Sequence, residues 1–155
     1  MKLLLPTGLL ALMPIAAFAH DGMHVNDAFA RSTNPVTAAI FMQLENHRDV
    51  ACTLQGVTSD AAERVELHTH AEEDGVMRMG KIEGGIEIPA GEAHEMMRGA
   101  DHVMMMGLTA PLKDGDQVAF TLDFGDCGTV DVDAVVDNER GAMDHGDGHD
   151  AHAGH

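Results

Sequence analysis

Tryptophan and tyrosine are absent, and aromatic residues occupy only 3% of the 155 positions. A core must therefore be built from Val, Ile, Leu, Ala, Met and five Phe, and the length suffices for one domain of ordinary size. Basic residues are also scarce: nine Lys and Arg stand against 26 Asp and Glu, a formal net charge of −17. A field of that sign repels phosphate backbones and anionic headgroups, which argues against nucleic acid and passive membrane binding. It attracts cations, or a basic patch on a partner. Long apolar runs are missing after the first 19 residues, so no later segment is fit to cross a bilayer.

The start of the chain reads as a processing signal. Lys2 supplies a positive n-region, Leu3 to Ala17 an apolar stretch interrupted by Pro6 and Pro14, and Ala17-Phe18-Ala19 an A-x-A cleavage site. Cleavage after Ala19 is expected, giving an exported protein without stable membrane insertion whose mature chain begins at His20. Only two cysteines are present, Cys52 and Cys127. In an oxidising compartment an even pair favours a disulfide; a thiolate metal site or two independent core thiols are the alternatives, and geometry decides.

What the chain has in excess is methionine and histidine, 12 and 11 residues respectively. Thioether and imidazole are the neutral side chains that suit copper, although methionine also serves as a core filler. Position separates the two uses. Between Val25 and Val136 short β-branched or alternating stretches recur between Gly, Asp, Asn and Pro. Strands are expected at Val36 to Leu44, Ala51 to Val57, Arg64 to His70, Val76 to Ile82, Ile86 to Ile88, Ala93 to Met97, His102 to Leu108, Gln117 to Phe124 and Thr129 to Val136. No helical period persists over three turns. About nine short strands imply an all-β antiparallel sandwich or barrel with Greek-key connections. The organisation is then a signal peptide over 1–19, one domain over 20–136, and a tail over 137–155. That tail carries Met143, His145, His149, His152 and His155 among Gly, Ala and Asp, with too little apolar surface to bury, and is expected to be disordered. The opening His20-Asp21-Gly22-Met23-His24 has the same character.

Three strand pieces carry donors at a spacing of two: His68-Thr69-His70, Met77-Arg78-Met79, and His102-Val103-Met104-Met105-Met106. Residues i and i+2 share one face of a strand, so each piece aims its donors in one direction and three strands can converge on one ion. Two thioethers with two imidazoles form a neutral, soft set that suits Cu(I). Zinc draws on thiolates, carboxylates or more imidazoles, and calcium and magnesium require oxygen. A blue-copper centre needs a Cys ligand, and no His follows Cys127 before the tail. Met105 alternates against its neighbours and belongs to the core, as does Met42. Met96 and Met97 are adjacent, so at most one can face a site. His47 and His94 are isolated and read as solvated surface residues.

The residues around these donors resemble the periplasmic copper chaperone family PCuAC. The resemblance runs from Ala62-Glu63-Arg64-Val65-Glu66-Leu67-His68 through Asp74-Gly75-Val76-Met77-Arg78-Met79 and Glu83-Gly84-Gly85-Ile86-Glu87-Ile88-Pro89-Ala90-Gly91. It continues through His102-Val103-Met104-Met105-Met106-Gly107-Leu108 to Pro111-Leu112-Lys113-Asp114-Gly115-Asp116. The family signature is a His, a Met some ten residues on, and His-x-Met about twenty further. His68, Met79, His102 and Met104 stand at those positions, with ten residues between the first two and 22 between Met79 and His102.

The resemblance implies a cupredoxin-like Greek-key β-sandwich, periplasmic localisation and Cu(I) bound by that quartet. It also implies delivery for cytochrome c oxidase assembly, to subunit II or another copper chaperone, and Cu(II) binding by a His- and Met-rich tail. His70, Met77 and Met106 are secondary candidates beside the quartet. The rivals are a copper buffering or tolerance protein with no dedicated recipient, and a copper enzyme using the mature N-terminal His20. No substrate-cleft signature supports the enzyme, and a structural zinc protein leaves the methionines unexplained.

Overall fold

The computed structural model describes residues 22–140. The leader, its cleavage point, His20, and the tail positions Met143, His145, His149, His152 and His155 lie outside the described residues. Within them run eleven strands: β1 (Met23–Asn34), β2 (Thr37–Asn46), β3 (Cys52–Leu54), β4 (Gly56–Thr58), β5 (Ala62–Glu73), β6 (Val76–Lys81), β7 (Ile86–Ile88), β8 (Ala93–Met96), β9 (His102–Leu108), β10 (Gln117–Asp123) and β11 (Thr129–Val136). One 3-10 turn spans Gly125–Cys127, and there is no α-helix among the described residues.

The main sheet has the order β4-β10-β11-β1-β2-β9-β5-β6, with β8 paired to the far half of β2, and β3 and β7 form a separate ribbon. One core cluster holds Val118, Phe120 and Leu122 of β10 together with Ile40 and Leu44 of β2, Leu67 of β5, and Val103 and Met105 of β9. Strands from opposite ends of the order meet in that core, which is the cupredoxin-like sandwich. Each fully buried aliphatic side chain there is worth about 1.5–3 kcal/mol. The alternation that buries them is visible along β2, where Ala38, Ile40, Met42 and Leu44 all face inward.

Several strand boundaries differ from the sequence expectation. β1 is a twelve-residue strand that composition left unmarked; its Met23 is buried and pairs with Asn46, so Met23 and His24 are not tail-like. Ala51 to Val57 divides at Gln55 into β3 and β4, which pair with different partners, β7 and β10. The sheet is mixed rather than wholly antiparallel, because β11 returns alongside β1 in parallel. Asp137 to Arg140, assigned by composition to the tail, are tied to the domain. Asp137 N–H donates to Ala30 O, Ser32 N–H donates to the Asn138 side chain at 2.7 Å, and Arg140 sits over the Phe29 ring.

Two local devices hold the β3–β7 ribbon in place. Gly85 has φ +83°, and a Cβ there would collide with Leu54 O, so only glycine allows β7 to lie so close to β3. Cys52 of β3 and Cys127 at the end of the 3-10 turn form a disulfide, with Cα atoms 5.9 Å apart and a sequence separation of 75. Closing a loop of that length restricts the unfolded chain by about 4 kcal/mol. A Cys52→Ala, Cys127→Ala protein should therefore unfold at clearly lower denaturant concentration, by about that free energy; an unchanged midpoint would show that the bridge adds nothing to stability.

Candidate metal centre

Pairing across β2, β9, β5 and β6 puts the donors on one face. Glu66 is opposite Met104, His68 opposite His102 on one side and Lys81 on the other, and His70 opposite Met79. Residues directly opposite each other point to the same side. The intervening Val65, Leu67, Val103 and Met105 point to the core side, where Val103 and Met105 are completely buried. The core pattern therefore fixes where the donors go.

His102 is 3% exposed although it lies on the outer face. The Phe41 ring covers it at 6.1 Å, His70 at 5.4 Å and His68 at 6.0 Å, measured between ring centroids. His102 Nδ1–H donates to Ala100 O at 3.0 Å, which leaves Nε2 with a free lone pair. That nitrogen is 3.2 Å from the Met79 sulfur, so two electron-pair donors face each other. Burial depresses the affinity of His102 for a proton, and the neighbouring His70 and His68 depress it further.

His68 is set the other way round. Its Nε2–H donates to Glu66 Oε2 at 2.9 Å, while Nδ1 is buried without a hydrogen-bond partner. A carboxylate holding one ring nitrogen while the other stays bare is the arrangement that prepares histidines to bind metals. The hydrogen bond from His68 holds the Glu66 carboxyl below its usual range, assisted by Lys81 and Arg64.

His102, Met79, Met104 and His70 line one open cavity of about 270 Å³, with Phe41, Ala39, Arg31 and Arg98 among its other walls. His68 lies against the His102 ring rather than in the cavity wall. Met77 and Met106 are not in that wall. Met77 is 59% exposed on the edge strand, and the Met106 sulfur takes a contact from the Arg64 guanidinium at 3.3 Å. His47 and His94 are not simply solvated: each bonds a carboxylate, Glu45 at 2.8 Å and Asp101 at 2.9 Å. Met96 is buried and Met97 half exposed, which the adjacency of the two requires.

Among the described residues no three His, Cys, Asp or Glu side chains are grouped to hold a metal, and the thioethers of Met79 and Met104 line the same cavity as His70 and His102. Residues that sequence reasoning overlooked are Glu66, Phe41, Arg31 and Arg98. Glu66 was findable, since it precedes His68 by two and shares its face. Arg31 was not, because β1 was not marked as a strand.

The family model described as "Putative lipoprotein LpqE-like" matches residues 23–136. "Putative lipoprotein Lxx21020" of Leifsonia xyli subsp. xyli is 33% identical over 122 residues, which are 79% of this chain and 74% of that protein. The solution structure of the Cu(I) form of DR1885 from Deinococcus radiodurans is 30% identical. It has a TM-score of 0.58 and covers 81% of this chain and 85% of its own. The copper-bound PCuAC domain of PmoF2, at 23% identity, shares the fold with a TM-score of 0.61 over 74% of this chain and 92% of its own.

Two outcomes follow from the imidazole geometry. Because the folded state holds His102 below the ordinary value of 6.5, the unfolded chain takes up that proton first. The stability due to neutral His102 is full above that value and is lost as pH falls below it. An NMR titration of the metal-free protein should give a His102 midpoint below 6.5, and a midpoint at or above it would contradict the role of burial. Second, Glu66→Gln should weaken metal binding by about 10–100-fold through loss of the carboxylate that orients His68. Unchanged affinity would mean that His68 needs no such support.

Proposed function

The chain belongs to the LpqE-like family, that of the PCuAC domains, and from that premise we propose that it is an exported copper chaperone whose cargo is Cu(I). The ligands are the His68 Nδ1 and His102 Nε2 nitrogens and the Met79 and Met104 sulfurs. The observation that carries this reading is the bare Nε2 of His102 facing the Met79 sulfur at 3.2 Å, with the Nδ1 of His68, whose ring lies 6.0 Å from that of His102, buried and without a partner. A soft cation would give both nitrogens and the sulfur a partner. The Cu(I)-bound form of a 30%-identical structure supports the choice of ion.

All four ligands are neutral, so bound Cu(I) keeps its full charge and is held only by soft coordination. Met79 is half exposed on the edge strand β6. It is the natural ligand to leave first, which opens a coordination position to an incoming donor. His70, in the cavity wall, is placed to occupy that position transiently. We assign delivery to a copper-accepting protein of cytochrome c oxidase assembly, either subunit II or another chaperone. We further assign Cu(II) collection to the tail residues Met143, His145, His149, His152 and His155. The lipoprotein relatives support export, and periplasmic residence with cleavage after Ala19 belongs to the same proposal.

Anaerobic Cu(I) titration with X-ray absorption tests this. One tight Cu(I) with mixed sulfur and nitrogen neighbours is expected. His102→Ala or Met79→Ala should weaken it by at least about 100-fold, and His70→Ala by much less. Equal binding by wild type and His102→Ala would overturn the site. A protein ending at Arg140 should keep its Cu(I) affinity and lose Cu(II) stoichiometry; loss of Cu(I) in that protein would overturn the assignment of the two ions to separate places.

A further inference from the structure

Two arginines line the same cavity as the copper ligands, and no carboxylate does. This is unexpected in a chain with 26 acidic and nine basic residues. From Asp114 to Glu139, on the strands at the other end of the sheet, there are eight carboxylates and no Lys or Arg. A cavity built only to retain a monovalent cation would be lined by the plentiful carboxylates. Guanidiniums oppose the ion they stand beside. The unmatched donor of Arg31 therefore answers to something else that enters the cavity.

Arg31 shows what it is. It sits on β1 opposite Ala39, and Ala39 is opposite Met104, so one row across the sheet runs from guanidinium to copper ligand through a single methyl group. That small residue leaves the hollow open. Arg31 Nη2 donates to Asn138 O at 3.1 Å, which fixes the side chain, while its Nε–H is buried with no acceptor. A fixed guanidinium that lines a cavity without carboxylates, with one N–H short of an acceptor, is prepared for an anionic oxygen from outside. We propose that the cavity is a carboxylate subsite for the molecule that exchanges copper with this protein. Arg31 and Arg98 bind a carboxylate carried close to that molecule's own copper-binding atom. This rests on the copper reading above and adds the charge of the exchanging ligand.

For a thiol ligand the step balances without electron transfer. A Cu–thiolate bond replaces a Cu–thioether bond, the thiol proton passes to solvent, and copper stays Cu(I). The carboxylate stays on the arginines during the exchange and raises the local concentration of the attacking sulfur.

The test has a copper-free arm and a copper arm. In metal-free protein, acetate should shift the Arg31 Nε–Hε NMR signal saturably, and Ala39→Leu, which fills the hollow, should abolish the shift. In the Cu(I)-loaded protein, 3-mercaptopropionate should remove copper about tenfold faster than the neutral 2-mercaptoethanol. Arg98→Gln should erase that preference while leaving the 2-mercaptoethanol rate unchanged. A peptide with Cys beside Glu, compared with its Gln counterpart, separates the two sources of the carboxylate. A preference for the Glu peptide points to a protein side chain, and a preference confined to 3-mercaptopropionate points to a small molecule. No saturable acetate shift, or equal rates for charged and neutral thiols in wild type, would overturn the subsite. Failure to load Cu(I) would instead overturn the copper reading, and the acetate arm would still decide this one.

Discussion

The period-two alternation of β9 is the constraint from which the site follows. Val103 and Met105 are completely buried, and they can be so only if His102 and Met104 project from the other face of the sheet. The same constraint acts on β5, where Leu67 in the core places Glu66 and His68 outside. Antiparallel register then sets the two rows side by side, His68 against His102 and Glu66 against Met104. A slip of one residue in either strand would exchange core and ligands together. The energy that holds the donors in place is thus the hydrophobic burial of their neighbours. The donors themselves need contribute nothing to stability and are free to be imperfectly satisfied.

That separation explains how much could be read from the sequence. The donor pieces are legible because alternation is local: H-x-H, M-x-M and H-x-M-x-M each show one face within five residues. The strands at Ile86–Ile88, His102–Leu108 and Thr129–Val136 were also marked by turn residues on both sides. What was not legible is whatever depends on pairing between distant segments. β1 contains Asn26, Asp27, Arg31 and Asn34, has bulges near Asn26 and Arg31, and buries only Met23, Ala30 and Ser32; its strand character comes from β2 and β11 on either side. With β1 unmarked, neither the parallel pair nor the position of Arg31 beside the face that carries the donors could be anticipated. The covering of His102 by Phe41 likewise joins positions 61 residues apart in the chain.

The two histidines of the proposed quartet occupy different electrical surroundings for the same end. His68 is polarised by Glu66, an acceptor that Lys81 and Arg64 also approach at 3.8 and 3.6 Å. His102 has only a backbone carbonyl on Nδ1, and burial does the rest. One imidazole is kept neutral by exclusion of water, while the other is oriented by a charge whose own field is shared among three partners. A charged carboxylate in direct contact with the ion would tighten binding and slow release. Placing it one bond away, behind His68, orients the ring and keeps the donor set neutral.

Rigidity and exchange are also divided along the sheet. β9 lies between β2 and β5, and β5 between β9 and β6, so each is held by two neighbouring strands along parts of its length. β6 is the last strand, all six of its residues are exposed, and it is held to the sheet by β5 alone. Met79 is therefore the donor carried by the least constrained element, while His68, His102 and Met104 sit on well-held strands. An edge strand invites pairing with other chains, and Arg78 and Lys81 on β6 oppose unselective pairing by their charge. In the proposed quartet the labile ligand is thus the one at the rim, beside an open cavity that Arg31 and Arg98 also line. On the proposed reading, copper held at three firm donors and one loose one would be passed on by replacing the loose one first, with no need to unfold any part of the core.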